Sequence, residues 1–529
     1  MAPNLLSQLQ KLVSPLEEGK VSSPLKILIV GVEVSPFANV GGFARVLGYL
    51  SRALKNMGHD VRIFMPKFGF LDEEKYKNEM VLEGLRIPDG GGGELICNVK
   101  KHVTPFGVTV YFLENKEYYE IRANVYGYRD DPVRWALLCR GALEFIRAQN
   151  WVPDIIHSND WHTGITSNFL RVEYSKDTKL RNIAAVFTIH NLAFQGMYDH
   201  KNVSELDRDD GHSPIASLFS DRLGKQNFMR RGILYSDLIN TVSDGYSREI
   251  LTPDYGEGLD QLLLELRSKL TGIVNGLDYQ EFNPATDKFI EANYDIDSLD
   301  LRYENKKKLQ KEFGLPVDKT IPVIGVVGRL DPQKGHSMIL EIMWHILKDF
   351  DTQLVVLGGG ESDIASQYRS LKEAFPSKVG VHLMPDFTLP RLIFSGSDIM
   401  LFPSKFEPCG ITQLEGMRYG TVPVARATGG LADTIQNYNP RTGEGYGFVF
   451  KNYDHWEFFA QLVRALEMYN QPNIWRTLVK RCMSQDFSWE GSARKYSQFY
   501  QRAQQVRLNQ LVNEGVVTSR FGRGSGPLI

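Results

Sequence analysis

The sequence predicts an α/β protein with two doubly wound, Rossmann-like domains that face each other across a cleft. Short apolar runs rich in Val and Ile alternate with longer segments of helical period, which is typical of parallel sheets covered by helices. This alternation starts at Lys26 and starts again at Ile321, so it describes two halves of similar organisation. The chain has 529 residues and 42% of them are apolar, which is sufficient for two such cores.

The first half opens with the strand KILIVGVEV, which begins at Lys26. The next segment predicts a helix that Gly58 can end, because glycine readily takes the left-handed conformation that follows a helix C-terminus. The apolar residues of this helix recur at helical spacing: Phe43, Val46, Leu47, Leu50, Leu54 and Met57. Further strands are predicted in VRIFMP, DIIH, NIAAVFTIH, SDLINTVS and TGIVNG.

The second half repeats this organisation, beginning with the strand IPVIGVVG at Ile321. The helix that follows has one apolar face, formed by Ile339, Ile342, Met343, Ile346, Leu347 and Phe350. The strands QLVVLGGG, VGVHLM, DIMLFPS and TVPVARA complete this sheet, and LADTIQNY predicts another helix.

Composition restricts the partners of the chain. There are 61 Lys and Arg against 63 Asp and Glu, so the excess of basic residues that drives binding to nucleic acids or anionic membranes is missing. The longest apolar stretches are much shorter than the ~20 residues that cross a bilayer. The four cysteines stand far apart in the sequence. This spacing predicts a reduced, cytoplasmic chain.

Two glycine pairs follow strands and precede helices, one in each half. Gly41 and Gly42 follow the first strand, and Gly429 and Gly430 follow Thr428 after the strand TVPVARA. Such a turn can present backbone N–H groups and a helix N-terminus to a phosphate, or it can simply be a tight strand-to-helix turn. Their equivalent places in the two halves favour a bound diphosphate. The chain has no G-x-G-x-x-G segment, so a dinucleotide oxidoreductase loses its main support.

Charged and polar side chains also follow the predicted strands, where ligands bind in open α/β sheets. Arg329 and Lys334 share the loop GRLDPQKG and suit two phosphoryl groups, although each alone could be an ordinary surface cation. His190 ends a strand, where a lone histidine is more often a structural residue with its hydrogen bonds satisfied than a catalyst. Glu407 and Glu415 could bind sugar hydroxyls or could complement a helix dipole. His157, Asp160 and His162 do not match a zinc-binding pattern, so we predict no metal.

Taken together, these residues resemble the glycogen and starch synthase family, which consists of retaining glucosyltransferases of the GT-B fold. The matching segments occur in the family's order: HSNDWHTG, FTIHNLAFQG, GIVNGLD, GRLDPQKG, KFEPCGITQLEGMRYGTVP and ATGGLADT. DFSWEGSARKYSQFY is similar to the family's terminal helix, which crosses back to the first domain. The domains expected from pattern and resemblance are an extension at 1–24, a first domain at 25–274, a second at 275–486, this helix at 487–505 and a flexible tail at 506–529.

The resemblance implies transfer of glucose from ADP-glucose or UDP-glucose to the non-reducing 4-hydroxyl of an α-1,4-glucan, with retention and without a metal or another cofactor. It implies catalytic roles for His190, Arg329, Lys334 and Glu407. The donor would be bound by Gly42, Asn275, Cys409, Gly410, Glu415, Thr428, Gly429 and Gly430. The sugar and acceptor pocket would contain Asn39, Arg45, Asp160, Asn191 and Gln195.

The chain departs from the family in two places. The family's first loop reads K-T-G-G-L-A-D, whereas here Asn39 replaces the lysine and Arg45 replaces the acid. Between Met384 and Phe387 the sequence lacks an aromatic for stacking on the base, unless Phe387 serves. Two alternatives therefore stay open beside an active glucan synthase: a retaining GT-B transferase with a small sugar acceptor, and a glucan-binding protein with weak activity.

Overall fold

The computed structural model describes residues 23–196 and 208–516, and it confirms two α/β domains with parallel sheets. The first unit contains the described residues up to Asn240 and those from Ala493 onward. The second unit is Thr241–Ser492. Most of the predicted N-terminal extension and the end of the predicted tail, residues 1–22 and 517–529, lie outside the described residues.

The first unit contains eight strands of the larger sheet. They are β1 Lys26–Val30, β2 Asp60–Pro66, β3 Glu79–Pro88, β4 Glu94–Val103, β5 Thr109–Glu114, β6 Ile155–Asn159, β7 Ala184–Ile189 and β8 Leu238–Thr241. Their order is β3-β4-β5-β2-β1-β6-β7-β8. β1 pairs in parallel with β2 and β6, and β6 pairs in parallel with β7. The carboxyl ends of these central strands therefore share one edge of the sheet.

Helices cover the strands of the first unit. They are α1 Gly42–Asn56, α2 Glu73–Tyr76, α3 Asp131–Ala148, α4 Asp160–Val172 and α5 Phe228–Tyr235, with a π-helical turn at Lys116–Glu120 and a 3₁₀ turn at Leu223–Lys225. The predicted apolar face of α1 is largely buried, and Gly58 follows the helix with a φ of 101°. Helical periodicity therefore identified this element and its end correctly.

The antiparallel hairpin β3–β4 was not predicted. The sequence analysis gave no strands there, but Glu79–Pro88 pairs with Glu94–Val103, with irregular register near Leu82. These strands mix charged and apolar residues, and most of the side chains of β3 are exposed or half-buried. A strand on the periphery of a sheet lacks the continuous apolar run by which the buried parallel strands were recognised.

The second unit contains a six-stranded sheet in which every recorded pair is parallel. Its order is β12-β11-β10-β13-β14-β15. The six strands of this sheet are β10 Val323–Val327, β11 Gln353–Leu357, β12 Val379–His382, β13 Ile399–Phe402, β14 Val422–Arg426 and β15 Phe448–Phe450. The short strand β9 Leu270–Gly272 comes earlier in the chain and does not belong to this sheet. The chain winds outward from β10 in both directions, which is the doubly wound arrangement that the sequence predicts.

The remaining helices are α6 Asp244–Glu249, α7 Asp260–Glu265, α8 Arg302–Glu312, α9 His336–Asp349, α10 Ser362–Ala374, α11 Leu389–Gly396, α12 Thr412–Arg418, α13 Gly429–Thr434, α14 His455–Tyr469, α15 Pro472–Ser484 and α16 Trp489–Asn513, with 3₁₀ turns at Arg267–Lys269, Leu299–Leu301 and Pro332–Lys334. The predicted apolar face of α9 packs into the main core of the unit. None of the helices that the structure describes is long and apolar enough to cross a membrane.

Two helices end at places that differ from the prediction. α13 ends at Thr434, because the next residue, Ile435, is buried in extended conformation, so the predicted helix LADTIQNY is too long. α16 continues to Asn513, beyond the predicted end at residue 505. Its last turns bury Leu511, and Arg507 donates from Nε and Nη2 to the carbonyl oxygen of Arg181. These contacts account for the longer helix.

A buried hydrogen-bond network connects α16 to three strands of the first unit. Tyr500 donates its hydroxyl proton to Nδ1 of His157 at 2.9 Å, and Nε2 of His157 donates to the Thr188 hydroxyl at 2.5 Å. Thr188 in turn donates to Oδ1 of Asn240 at 2.6 Å, and Asn240 donates to the Tyr496 hydroxyl at 3.0 Å. Burial lowers the pKa of His157 to about 3, so its ring is neutral. His157 is therefore a structural residue.

Candidate active site

The carboxyl ends of β6 and β7 bring Asp160 and His190 together in the first unit. Asp160 begins α4, and its Oδ1 accepts hydrogen bonds from the backbone N–H groups of His190 at 2.8 Å and Asn191 at 3.3 Å. Asp160 has a φ of 53°. Residues other than glycine rarely adopt this left-handed conformation, and it is frequent at functional sites. Asp160 thus holds the backbone that carries His190.

The His190 imidazole is oriented by Asn159. The side-chain nitrogen of Asn159 donates to the carbonyl oxygens of Val30 and His157, which leaves its Oδ1 facing Nε2 of His190 at 3.0 Å. Nε2 therefore carries the proton and donates it, while Nδ1 is an acceptor. Burial lowers the pKa of His190 to about 3, so the ring is neutral near pH 7.

Glu33 is a second buried acid in the first unit, and the sequence analysis did not identify it. It follows β1, is 2% exposed, and its Oε2 accepts the backbone N–H groups of Val40 at 2.7 Å and Gly41 at 2.9 Å. The turn before α1 therefore binds a carboxylate of the protein itself. Burial raises the pKa of Glu33, and the two backbone hydrogen bonds oppose this rise. The sequence signal was a single acid within the apolar run KILIVGVEV.

Burial also raises the pKa of Asp160, to about 7. The hydrogen bonds from His190 and Asn191 oppose this rise, whereas the charge of Glu33 adds to it. The first unit therefore contains two interacting carboxyl groups with raised pKa values. Groups perturbed by burial and by a specific charged neighbour are common in functional sites.

The other predicted residues of the first unit differ in exposure. Asn39 is exposed, Gly42 is the exposed first residue of α1, and Arg45 is half-buried one turn further on. Oδ1 of Asn191 accepts the backbone N–H of Ala193. Gln195 is buried, and its Oε1 accepts a 2.6 Å hydrogen bond from Asn227. The Gln195 side chain is thus engaged within the protein.

Lys334 and Glu407 form an ion pair in the second unit. Nζ of Lys334 lies 2.7 Å from Oε2 of Glu407, and the Ser404 hydroxyl donates to the same oxygen at 3.0 Å. Glu407 is 8% exposed. Among the described residues, none donates to its other oxygen, Oε1. One carboxylate oxygen is therefore held by the protein, and the other can accept a hydrogen bond from a ligand.

Arg329 lies on the same loop as Lys334, between β10 and α9. Its side chain is 67% exposed and pairs with Asp331 at 3.0 Å. The loop beneath it is anchored by His336, whose Nε2 donates to the Arg329 carbonyl oxygen and whose Nδ1 accepts the Tyr368 hydroxyl proton. An exposed guanidinium on an anchored loop beside a lysine is suited to an anionic ligand such as a phosphate.

The Thr428–Gly430 turn packs tightly against the loop that carries Glu407. The Gly430 N–H donates to the Glu407 carbonyl oxygen at 3.0 Å. A Cβ at Gly429 would lie 2.0 Å from that oxygen, and a Cβ at Gly430 would lie 2.0 Å from the Cys409 carbonyl oxygen. Gly429 also has a φ of 43°. Both positions therefore require glycine for close packing, whatever else they bind.

Cys409 and Asn275 form the buried side of this loop. Burial raises the pKa of the Cys409 thiol to about 12, and the neighbouring Asn275 opposes this rise. Oδ1 of Asn275 is buried with no hydrogen-bond partner in the part of the chain that the structure describes. None of the described residues accepts the backbone N–H groups of Cys409 and Gly410. These groups can therefore bind the hydroxyl groups of a ligand.

Each unit thus brings part of the predicted set together. In the second unit, Lys334, Glu407 and the glycine turn are in contact, and Glu415 is buried on α12. With Arg329 on the same loop as Lys334, this unit presents two cations, two acids and polar groups that have no partner among the described residues. This is the chemistry required to bind a phosphorylated, hydroxylated ligand. Within the described ranges, no group of three or more His, Cys, Asp or Glu side chains is placed to hold a metal ion.

Two family models match the sequence. The starch synthase catalytic domain matches residues 26–265, and the group 1 glycosyl transferases match residues 306–480. Together the matches cover most of both units.

Glycogen and starch synthases are similar to this chain along nearly its whole length. Glycogen synthases from Clostridium perfringens and Thermotoga maritima are each 40% identical, and the alignments cover 90% of this chain and 98% and 99% of those proteins. The solved catalytic domain of starch synthase IV from Arabidopsis thaliana, bound to ADP and acarbose, superimposes with a TM-score of 0.80 at 31% identity. That superposition covers 91% of this chain and 100% of the plant chain.

Proposed function

The chain belongs to the glycogen and starch synthase family, and on that premise we propose that it transfers glucose from ADP-glucose to the non-reducing 4-hydroxyl of an α-1,4-glucan. It is a glycogen synthase-type hexosyltransferase of the GT-B fold. The observation that carries the proposal is the Lys334–Glu407 ion pair beside the exposed Arg329, because it combines phosphate-binding cations with an acid that has an unoccupied oxygen.

The two cations bind the donor diphosphate in this proposal. Arg329 supplies a planar fork that is available to a phosphoryl group, and Lys334 supplies a point charge. When the bond between the anomeric carbon and the diphosphate breaks, negative charge grows on the leaving ADP. Fixed cations at this place stabilise that charge in the transition state more than in the ground state, which is what accelerates the reaction.

Glu407 orients the transferred glucose. Its Oε1 accepts a sugar hydroxyl, while Lys334 and Ser404 hold its Oε2. The N–H groups of Cys409 and Gly410 and the unpaired Oδ1 of Asn275 supply further polar partners for the sugar. The carboxylate also offsets positive charge at the anomeric carbon as the donor bond breaks.

The new bond forms between the anomeric carbon and O4 of the glucan end. The bond from that carbon to the diphosphate oxygen breaks, and the hydroxyl proton of O4 passes to an oxygen of the leaving ADP. No side chain needs to act as a covalent nucleophile, so the two-carboxylate scheme of glycosidases does not apply.

Residues of the first unit bind the glucose and the acceptor in this proposal. His190 is neutral, its Nε2 is committed to Asn159, and its Nδ1 can accept the 6-hydroxyl of glucose. Asp160 fixes the backbone of His190 and lines the same pocket. Asn39 and Arg45 stand where the family has a lysine and an acid. In this proposal Arg45, in the first turn of α1, supplies the positive charge in place of the lysine.

We assign ADP as the nucleotide because the similar plant starch synthase domain is bound to ADP. In this chain Phe387 offers the aromatic surface for the base. It follows β12, and its side chain is 88% exposed. Asp386 holds the loop by accepting the backbone N–H groups of Thr388 at 2.8 Å and Leu389 at 2.7 Å. Exposed aromatic rings on anchored loops are suited to stacking on a planar base.

The test is nucleotide release from ADP-glucose and from UDP-glucose, with and without glycogen, in the presence of EDTA. We expect release from ADP-glucose that depends on glycogen and is unaffected by EDTA. Release that small sugars stimulate better than glycogen would favour the small-acceptor transferase. Glycogen binding without any release would favour the weak glucan-binding protein, and Asn39→Lys and Arg45→Asp would be the first reversions to assay.

A further inference from the structure

We propose that Glu249, which lies outside the predicted site, is a positioning residue that determines where Glu407 sits. The inference rests on the proposed function, in which Glu407 contacts the donor glucose. Glu249 ends α6, and the hydrogen-bond partners of its side chain are on a turn that begins 179 residues later in the chain. All of the contacts lie within the second unit.

One carboxylate oxygen of Glu249 binds both ends of a peptide turn. Oε1 accepts the Thr428 hydroxyl proton at 2.9 Å and the Gly429 backbone N–H at 2.9 Å. The Thr428 hydroxyl is therefore turned towards Glu249 and does not cap its own helix, α13. Hydrogen bonds to a charged acceptor are stronger than neutral ones. Glu249 thus fixes the start of α13 from outside that helix.

The turn that Glu249 fixes also holds the backbone of Glu407. The next residue, Gly430, donates its N–H to the Glu407 carbonyl oxygen at 3.0 Å. The packing leaves no room for a Cβ at Gly429, which would lie 2.0 Å from the same oxygen. A shift of the turn by a few tenths of an ångström must therefore move Glu407 or break its hydrogen bond.

The rest of α6 contacts the same two segments. The Ser243 hydroxyl donates to the Pro408 carbonyl oxygen at 2.5 Å, one residue after Glu407. The Gly245 N–H donates to Oδ2 of Asp433, on α13, at 2.7 Å. Because a Cβ at Gly245 would lie 2.5 Å from the Gly429 carbonyl oxygen, this contact is also backbone against backbone. α6 therefore holds the Glu407 loop directly and through the glycine turn.

The contacts explain why position 249 carries a side-chain oxygen that accepts hydrogen bonds. Thr428 and Gly429 each present a donor, so the residue that joins them must supply an acceptor. The Glu249 oxygen Oε2 is buried and has no partner among the described residues, so this acid carries an unfavourable desolvation cost. A residue whose only task was to fill space at this position would not need a carboxylate. Glutamine supplies the same acceptor oxygen without the charge.

The experiment compares E249A, E249Q and T428V with the unchanged chain in glycogen-dependent ADP release. Glu265, exposed on α7 of the same unit, provides the control E265A. We expect kcat of E249A to fall by about tenfold or more, with KM for ADP-glucose within about threefold, because Glu407 acts on the transition state. E249Q should recover most of the activity, T428V should lose about threefold of kcat, and E265A should be unchanged.

Equal kcat in E249A and the unchanged chain would overturn the inference. So would equal losses in E249Q and E249A, because a retained acceptor would then have no effect. If E249A does not fold, unchanged kcat in T428V overturns the inference and a reduced kcat at unchanged KM supports it. If the chain without substitutions releases no ADP with glycogen, the proposed function itself is refuted. If that chain is active and E249A does not change its activity, only the role of Glu249 is refuted.

Discussion

Removing a single hydroxyl group, in Tyr500→Phe, tests the buried network of the first unit. The Tyr500 hydroxyl donates to Nδ1 of His157 at 2.9 Å, and both side chains are fully buried. Phenylalanine keeps the ring and its packing, so the substitution creates no cavity. It leaves Nδ1 of His157 as a buried acceptor without a donor.

The cost follows from that orphaned atom. A buried polar group left without its partner destabilises a protein by about 1–3 kcal/mol. For a unit of this size, 1 kcal/mol lowers Tm by about 2–4 °C, so a loss of 2 kcal/mol lowers Tm by about 4–8 °C. The Asn240–Tyr496 hydrogen bond and the rest of α16 are untouched, so the fold itself is retained.

The assay is thermal unfolding of the full chain followed by circular dichroism, with hydrogen exchange of peptides from α16 to attribute the change to the first unit. The matched control is Tyr235→Phe, because the Tyr235 hydroxyl makes no hydrogen bond within the described residues. We expect Y500F to melt several degrees lower and to exchange faster in α16, and Y235F to match the unchanged chain. Equal Tm values for Y500F and Y235F would refute the reasoning.

Three further outcomes follow from the structure. Lowering the pH should destabilise the first unit through three buried, neutral histidines. Their pKa values are about 3 in the folded chain and about 6.5 in the unfolded chain. The free energy of unfolding that this difference supplies is complete above pH 6.5 and is lost as the pH falls. These histidines are His157, His162 and His190. The raised pKa values of Asp160 and Glu33 oppose this loss, so urea titrations between pH 6.5 and 4 should give a slope below the about 4 kcal/mol per pH unit of three histidines alone. Arg329→Ala should lower kcat/KM by about 100-fold and leave Tm unchanged. Lys334→Ala should lower both kcat/KM and Tm, because it removes the cation that pairs with Glu407. Equal Tm changes in the two variants would contradict this expectation. Glu33→Ala should lower kcat/KM about tenfold and Glu33→Gln less than threefold, because glutamine keeps an oxygen that accepts the N–H groups of Val40 and Gly41. A loss in E33Q as large as in E33A would show that the charge of Glu33 is required instead.

The elements that sequence analysis predicted well are those that periodicity encodes locally. α1 and α9 have apolar faces that repeat every three to four residues, and the central parallel strands are continuous apolar runs. The hairpin β3–β4 carries neither signal, because it is peripheral and charged. The second-half strand β15 is three residues long, which is too short for any pattern.

The candidate site shows a similar division. Motifs and family resemblance suggested Lys334 and Glu407 as functional residues, and the structure pairs them at 2.7 Å. Glu33 and Glu249 were missed because the partners of Glu33 are two backbone N–H groups and one of the two partners of Glu249 is also a backbone N–H. Backbone amides occur at every residue and leave no mark in a sequence. Glu249 and Thr428 are 179 residues apart in the sequence, which carries no information about their contact. Such partners become visible when the geometry of the turn is known.

The position of α16 in the chain has a consequence for synthesis on the ribosome. The first unit needs Tyr496 and Tyr500 to complete the partners of Asn240 and His157, yet these tyrosines are translated after the whole of the second unit. At about 5–20 residues per second, the interval between residues 240 and 493 is about 10–50 s. During that time the nascent first unit carries buried polar groups without their partners. The second unit, although later in the sequence, is therefore the first whose segments are all available for folding.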